Sequence, residues 1–189
     1  SPLQAMRAAI EMSKAIEKYN RTSNTEPISI GIGIHYGKLI LGTIGHEERL
    51  DTTVISDVVN VASRVEGLTR HYNCTTIVTT SCLEHLPNSL EFTTRYLGEV
   101  KVKGKRKQIE IVELLHDADE IKKSYQKEFG EAVHLFKSRR LEEAVSMFLE
   151  IQKINSEDGA VNRFLDRCRE LIKNGFPNDW DGIEIMNLK

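Results

Sequence analysis

Between Ile28 and Gly37 the chain reads Ile-Ser-Ile-Gly-Ile-Gly-Ile-His-Tyr-Gly, and this alternation constrains the fold more than any other stretch. Isoleucine at every second position is the signature of a strand, not a helix. Gly31 and Gly33 leave the other strand face bare, so a helix can approach it closely. A dinucleotide-binding glycine loop needs its glycines between a strand and a helix N-terminus. Here they lie within the strand, and the next stretch, Leu39 to Ile44, is expected to return beside Ile28–Ile34 as a hairpin after Gly37.

A helix is expected before this strand, with Pro2 in its first turn and Ala5, Ala9, Met12, Ile16 and Tyr19 on its apolar face. After it, Asp57 can cap a helix from Val58 to about His71, whose buried stripe would be Val58, Val61, Val65 and Leu68. Thr75 to Thr79 reads as a short strand and Ser81 to Leu86 as a short helix. Leu97–Lys103 and Gln108–Leu114 form a hairpin around the polar turn Gly104-Lys105-Arg106-Lys107. The character changes after Leu115. From Ile121 onward the chain reads all helical, and Gly130, Ala132, Phe136, Leu141, Ala144, Phe148 and Ile151 follow the rhythm of one tetratricopeptide pair, with Gly159–Lys173 as a cap helix. One such pair cannot bury its own face, so it is expected to lie on the first part or on another chain, with Trp180 as a docking anchor. The expected organisation is a mixed α/β (α+β) part at 1–115 and a helical, tetratricopeptide-like extension at 116–189.

Composition excludes several classes. The 26 Lys+Arg against 28 Asp+Glu leave a net charge of −2, which argues against a nucleic-acid binder relying on bulk positive charge. No apolar run reaches the ~18 residues of a membrane helix, and Ser1-Pro2-Leu3-Gln4 has neither region of a signal peptide. Cys74, Cys82 and Cys168 are odd in number and lack C-x-x-C spacing, which fits a reducing cytoplasm better than disulfides or zinc.

Three groups of residues could carry chemistry. Asn60 and Arg64 stand one helical turn apart, on a face turned roughly 100° from the valine stripe. An amide and a guanidinium fork converging there suit ribose or phosphate oxygens, although these two residues alone favour a plain solvated face. Lys103, among Lys101, Lys105, Arg106 and Lys107, could clamp a polyphosphate from a turn, or could simply be solvated there. His35 and His46 lack ligand spacing to Cys or Asp and read as ordinary strand and loop histidines.

The run Ile30 to Gly37, then Gly42-Thr43-Ile44-Gly45, then Arg49 to Arg64 with its Val59-Asn60-Val61-Ala62-Ser63-Arg64 segment, closely resembles the class III nucleotide (adenylyl/guanylyl) cyclases. Leu97 to Gly104 is similar to that family's late phosphate-contacting hairpin, and the resemblance spans roughly residues 1–115. The tail, with Asp179-Trp180-Asp181-Gly182, resembles a helical extension found after some bacterial cyclase domains.

The resemblance implies part of a ferredoxin-like cyclase sheet and conversion of ATP to cyclic AMP and pyrophosphate, in signal transduction. It implies that Asn60 orients the ribose, Arg64 stabilises charge on the transferring phosphorus, and Lys103 holds the terminal phosphates. Thr53, seven residues before Asn60, sits where the family selects its purine and tilts the choice toward ATP. Ser56 stands where the family usually has Gly. Mg2+ or Mn2+ is implied, but the family's two metal-binding aspartates and its purine-contacting lysine fall on segments expected ahead of Ser1, and Asp51 and Asp57 are not at those positions. The expected partner is a second cyclase domain, in a homodimer or otherwise, that supplies the carboxylates, with no nucleic acid and no membrane contact from this segment. The expected location is cytoplasmic, either free or as the cytosolic C-terminal part of a larger membrane-anchored protein. Two other readings compete: a catalytically silent module that keeps the dimer surface, and a helical-repeat interaction protein using the cyclase part as scaffold.

Overall fold

A computed structural model describes residues 1–46, 49–55, 57–88, 91–102 and 108–186. It has a mixed α+β architecture. Helix α1 (Pro2–Thr22) is capped by Ser1, whose hydroxyl accepts from Gln4 N–H. Strand β1 (Ile32–Ile34) is followed by β2 (Ile40–His46), β3 (Arg49–Ile55), α2 (Asp57–Tyr72), β4 (Thr76–Thr79), α3 (Thr80–Leu83), β5 (Thr93–Val102) and β6 (Gln108–Leu115). Then come α4 (Glu120–Ser124), α5 (Gln126–Lys137), α6 (Leu141–Ile154), α7 (Gly159–Asn174) and β7 (Glu184–Met186).

Five strands form one sheet in the order β1-β4-β6-β5-β7, while β2 and β3 pair antiparallel in a separate ribbon. The hairpin expected between Ile28–Ile34 and Leu39–Ile44 is therefore corrected. Strand β1 runs parallel to β4, with Ile32 opposite Thr76, and β2 takes β3 as its partner instead. Strand β1 is also shorter than its isoleucine pattern, beginning at Ile32. A period of two fixes which face a residue takes but does not name the neighbouring strand. Strands β5 and β6 pair antiparallel as read, β5 starting earlier than expected at Thr93 and carrying a bulge at Gly98, where φ is +108°; the expected turn at Gly104–Lys107 lies outside the described residues.

The sheet buries both faces, and the alternation along each strand sorts them. Met6 and Ala9 of α1 pack with Val78, Cys82, Val112 and Leu114 on one side. Ile77, Leu97, Val100 and Ile111 point to the other, where α2, α5 and α7 add Val65, Phe129, Phe136 and Phe164. On α1 the buried residues are Met6, Ala9 and Ser13, while Met12 and Tyr19 are exposed, so the core face is rotated from the expected stripe. Val61, Val65 and Leu68 are buried as expected; Val58 is half-buried, and Gly37 has room for no β-carbon beside it.

The bare face of β1 is used as its glycines suggest. A β-carbon on Gly33 would stand 2.2 Å from Glu66 N and 2.6 Å from Ala62 O, and one on Gly31 would stand 2.2 Å from Thr69 Oγ1. Helix α2 thus rests its backbone directly on the strand.

The helical segment is tied to the sheet by a buried ion cluster. Arg95 of β5 lies opposite Glu113 of β6 and donates to Glu113 Oε2 from Nε (2.9 Å) and Nη2 (2.5 Å). It also donates to both carboxylate oxygens of Asp158, the N-cap of α7, and its guanidinium lies 4.3 Å from the centre of the Phe129 ring. The Tyr125 hydroxyl donates to Asp158 (2.8 Å), and Lys122 Nζ to Glu113 (2.7 Å). Arg95, Glu113 and Asp158 are buried, and Lys122 reaches them from a part-exposed position where Asp119 also faces it. Beyond α7 the all-helical expectation is corrected: β7 adds in parallel to β5, with Lys101 opposite Ile185. Trp180 anchors the return, edge-on to Phe136 and Phe176.

Two stability measurements check these contacts. Gly33→Ala should lower stability by about 3 kcal/mol, because the atoms in its way are backbone and strand and helix must separate. Asp158→Asn should cost about 3–5 kcal/mol, since it leaves buried positive charge undercompensated. Burial pushes the Asp158 carboxyl up, but Arg95 and the Tyr125 hydroxyl outweigh it and hold the group below its ordinary value. A depressed carboxyl stabilises the fold above its unfolded pKa and loses that contribution as pH falls through the folded one. The difference in stability between wild type and Asp158→Asn should therefore shrink as pH falls below about 4.

Candidate active site

Helix α2 carries the site. It follows β3 and starts with Asp57, whose charge suits the positive end of the helix dipole. The helix begins at Asp57, one residue earlier than expected; Ser56 lies outside the described residues. Three sides of α2 are committed. Ala62, Glu66 and Thr69 meet the glycine face of β1, Val61, Val65 and Leu68 fill the core, and Tyr72 closes on α7. Asn60 and Arg64 remain on the flank away from β1, Asn60 exposed and Arg64 half-buried.

That flank borders a solvent-open cleft of about 710 Å³ whose lining, among the described residues, comes from α2 alone: Asn60, Ser63, Arg64, Glu66, Gly67, Arg70 and His71. Asn60, Arg64, Gly67 and His71 follow the i, i+4, i+7, i+11 rhythm of one helical row. The cleft thus continues the line begun by the two residues singled out from the sequence. Helical spacing alone could have extended the reading to Gly67 and His71. Arg70 pairs with Glu66 at 3.6 Å on the outer surface. The arrangement offers an amide and a guanidinium on a rigid rod at the edge of a solvent-open volume. Such a set can orient a hydroxyl-bearing ligand and neutralise an anionic one.

The other sequence candidates are placed as follows. Thr53 lies in β3, its backbone opposite Gly42 of β2 and one short connection ahead of α2. Lys103 falls outside the described residues; β5, which leads to it, ends at Val102. His35 Nδ1 is 2.9 Å from Thr79 Oγ1, which suits the ordinary structural role expected of it, and His46 lies in β2 opposite Arg49.

The divalent ions implied by the resemblance find no fitting donor set here. Among the described residues, no three His, Cys, Asp or Glu side chains come together in a way that could hold a metal ion. No chemical step below is routed through one. Among the described residues, too, no helix is long and apolar enough to cross a membrane.

Residues 3–115 match the family model described as the adenylate and guanylate cyclase catalytic domain. Over 118 residues the chain is 43% identical to an adenylate cyclase of Anabaena cylindrica, covering 58% of this chain and 24% of that protein. Over 177 residues it is 30% identical to the terminal-differentiation-specific adenylate cyclase of Dictyostelium discoideum, covering 90% of this chain and 8% of that one. The second similarity therefore takes in much of the helical segment after Leu115. A solved bacterial light-regulated adenylyl cyclase superposes with a TM-score of 0.49 at 21% identity, over 64% of this chain and 61% of that one. The chain spans less than a quarter of the length of either curated relative. On the match across residues 3–115, the chain belongs to the family of adenylate and guanylate cyclase catalytic domains.

Proposed function

We propose that residues 1–115 are the part of an adenylyl cyclase that binds the ribose and phosphates of ATP. The reaction is attack of the ribose 3′-oxygen on the α-phosphorus. A new P–O bond closes the cyclic ester, the bond from the α-phosphorus to the bridging oxygen breaks, pyrophosphate leaves, and the hydroxyl proton passes to solvent. The observation that carries this reading is the pairing of Asn60 and Arg64, one turn apart on the rim of the α2 cleft, within the Val59–Arg64 segment. The relatives named above as adenylate cyclases support ATP over GTP, as does Thr53 at the purine-selecting position.

Within this reading each residue has one task. Asn60 holds the ribose so that its 3′-oxygen lies in line with the leaving oxygen. Arg64 stabilises the negative charge that builds on the phosphoryl oxygens as the bonds exchange. Lys103 holds the terminal phosphates. Mg2+ or Mn2+, which the family resemblance implies, would be held by the carboxylates of a partner cyclase domain. Residues 116–174 form the helical extension, in which α5 and α6 make one tetratricopeptide-like pair and α7 caps it, before β7 returns to the sheet. Phe129, Phe148 and Phe164 fill the space between these helices.

Kinetics and melting measured together test the proposal in a full-length cyclase that contains this chain. Arg64→Ala should lower kcat about 10²–10³-fold with little change in KM, because its contribution grows as charge develops on phosphorus. Asn60→Ala should lose rate similarly. Melting temperatures of both should stay near wild type, since neither side chain enters the core. Wild-type kcat in both variants would return the pair to an ordinary solvated helix face.

A further inference from the structure

Helix α7 begins where α2 ends. The last turn of α2 closes as a Schellman motif: Cys74 N–H donates to Thr69 O (2.9 Å) and Asn73 N–H to Arg70 O (3.4 Å). Asn73 takes the left-handed conformation that this closure requires, at φ 47°. Gly159, the first residue of α7, lies against the turn. A β-carbon there would stand 2.2 Å from Asn73 Cβ and 2.7 Å from Tyr72 O. These are backbone-fixed atoms rather than the far end of a flexible side chain, so any larger residue must push the two helices apart.

The corner is fixed from the other side as well. Asp158, next to Gly159, receives hydrogen bonds from Arg95 on the sheet, from the Tyr125 hydroxyl, and from Ala160 and Val161 N–H at the start of α7. The N-terminus of α7 is therefore placed by the sheet, and the C-terminus of α2 is placed by α7. Tyr72 and Phe164 pack behind the contact with ring centres 6.3 Å apart. The helix dipoles reinforce it, the positive end of α7 meeting the negative end of α2.

We infer that the Asp158–Gly159 corner is a positioning joint for the active site: it sets where α2 stands along its axis, and so where Asn60 and Arg64 present their side chains. The inference rests on the proposed roles of those two residues. Both corner residues lie outside the matched region 3–115. Arg64 stands eight residues before Tyr72 on one unbroken helix, about 12 Å along the axis. A shift that moves α2 along its axis at the joint moves Arg64 with it, because both ends belong to one continuous helix. In-line displacement tolerates little of it, since a misplacement of about 1 Å can cost on the order of 10²-fold in rate.

The test uses a full-length cyclase containing this chain, with kcat, KM and hydrogen exchange of the α2 amides measured on the same samples. Gly159→Ala should lower kcat by at least about 10-fold while KM changes less than about 3-fold. The amides of the last α2 turn should exchange faster. Asn73→Gly keeps the left-handed conformation and removes the closest opposing atom, so the pair Asn73→Gly/Gly159→Ala should recover part of the lost kcat. Gly130→Ala in α5 is the control, because a β-carbon there meets nothing within 4 Å; its kcat and exchange should match wild type. Unchanged α2 exchange in Gly159→Ala would overturn the inference. So would wild-type kcat in Gly159→Ala when Arg64→Ala disables the same enzyme. If Arg64→Ala leaves the rate untouched, the reading of the site falls and the inference falls with it.

Discussion

The structure depends on one buried guanidinium. Arg95 has no exposed side-chain surface, yet it joins β5 to Glu113 of β6 and to Asp158 at the start of α7. Removing these charges from water is expensive, and their mutual attraction repays the cost only with the hydrogen bonds in place. Such a cluster adds little net stability over an apolar core. What it adds is specificity: a register slip of β5 on β6, or an α7 docked elsewhere, would leave a charge buried alone. Burial and the neighbouring Asp158 carboxylate push the Tyr125 hydroxyl up to about 12, so it remains a donor across the physiological range. The sheet and the helical segment are thereby locked in one arrangement.

The proposed function rests on the helix that this arrangement holds. Helix α2 is seated on β1 through the absence of side chains at Gly31 and Gly33, and on α7 through their absence at Gly159. Its core stripe takes up a third side. Only one flank is left, and it carries Asn60 and Arg64. A polar pair on a rod so closely packed has little freedom to adapt to a ligand, which is what transition-state stabilisation requires. The glycines and the buried ions thus contribute to the site without reaching the cleft.

Much of this was legible in the sequence because it is local. The alternation around Gly31 and Gly33 announces both a strand and a helix lying on it, and Val61, Val65 and Leu68 mark the inner face of α2. The Asn60–Arg64 spacing singles out its outer flank. What escaped was long-range. The Ile28–Ile34 pattern cannot say that its neighbour is β4 rather than β2, since face alternation is the same for either. Strand β7 is three residues whose pairing depends on a partner more than 80 positions away. Arg95 and Glu113 belong to no motif that singles them out. The available signal was that Glu113 interrupts the apolar run Ile111 to Leu115 while Arg95 shares a strand face with Leu97, two lone opposite charges on inward positions of one hairpin. Gly159 and Asn73 leave no such trace, because nothing in either segment alone says that they meet.

The central claim is that Asn60 and Arg64 act on one transition state from one rigid helix face. The most direct measurement is kcat of the double variant Asn60→Ala/Arg64→Ala against the two single variants, in a full-length cyclase that contains this chain. Residues that serve one transition state are grossly non-additive, so the double variant should fall within about 10-fold of the slower single variant. Losses that multiply in full would show two independent contributions and contradict the account. A double variant with wild-type kcat would contradict it outright.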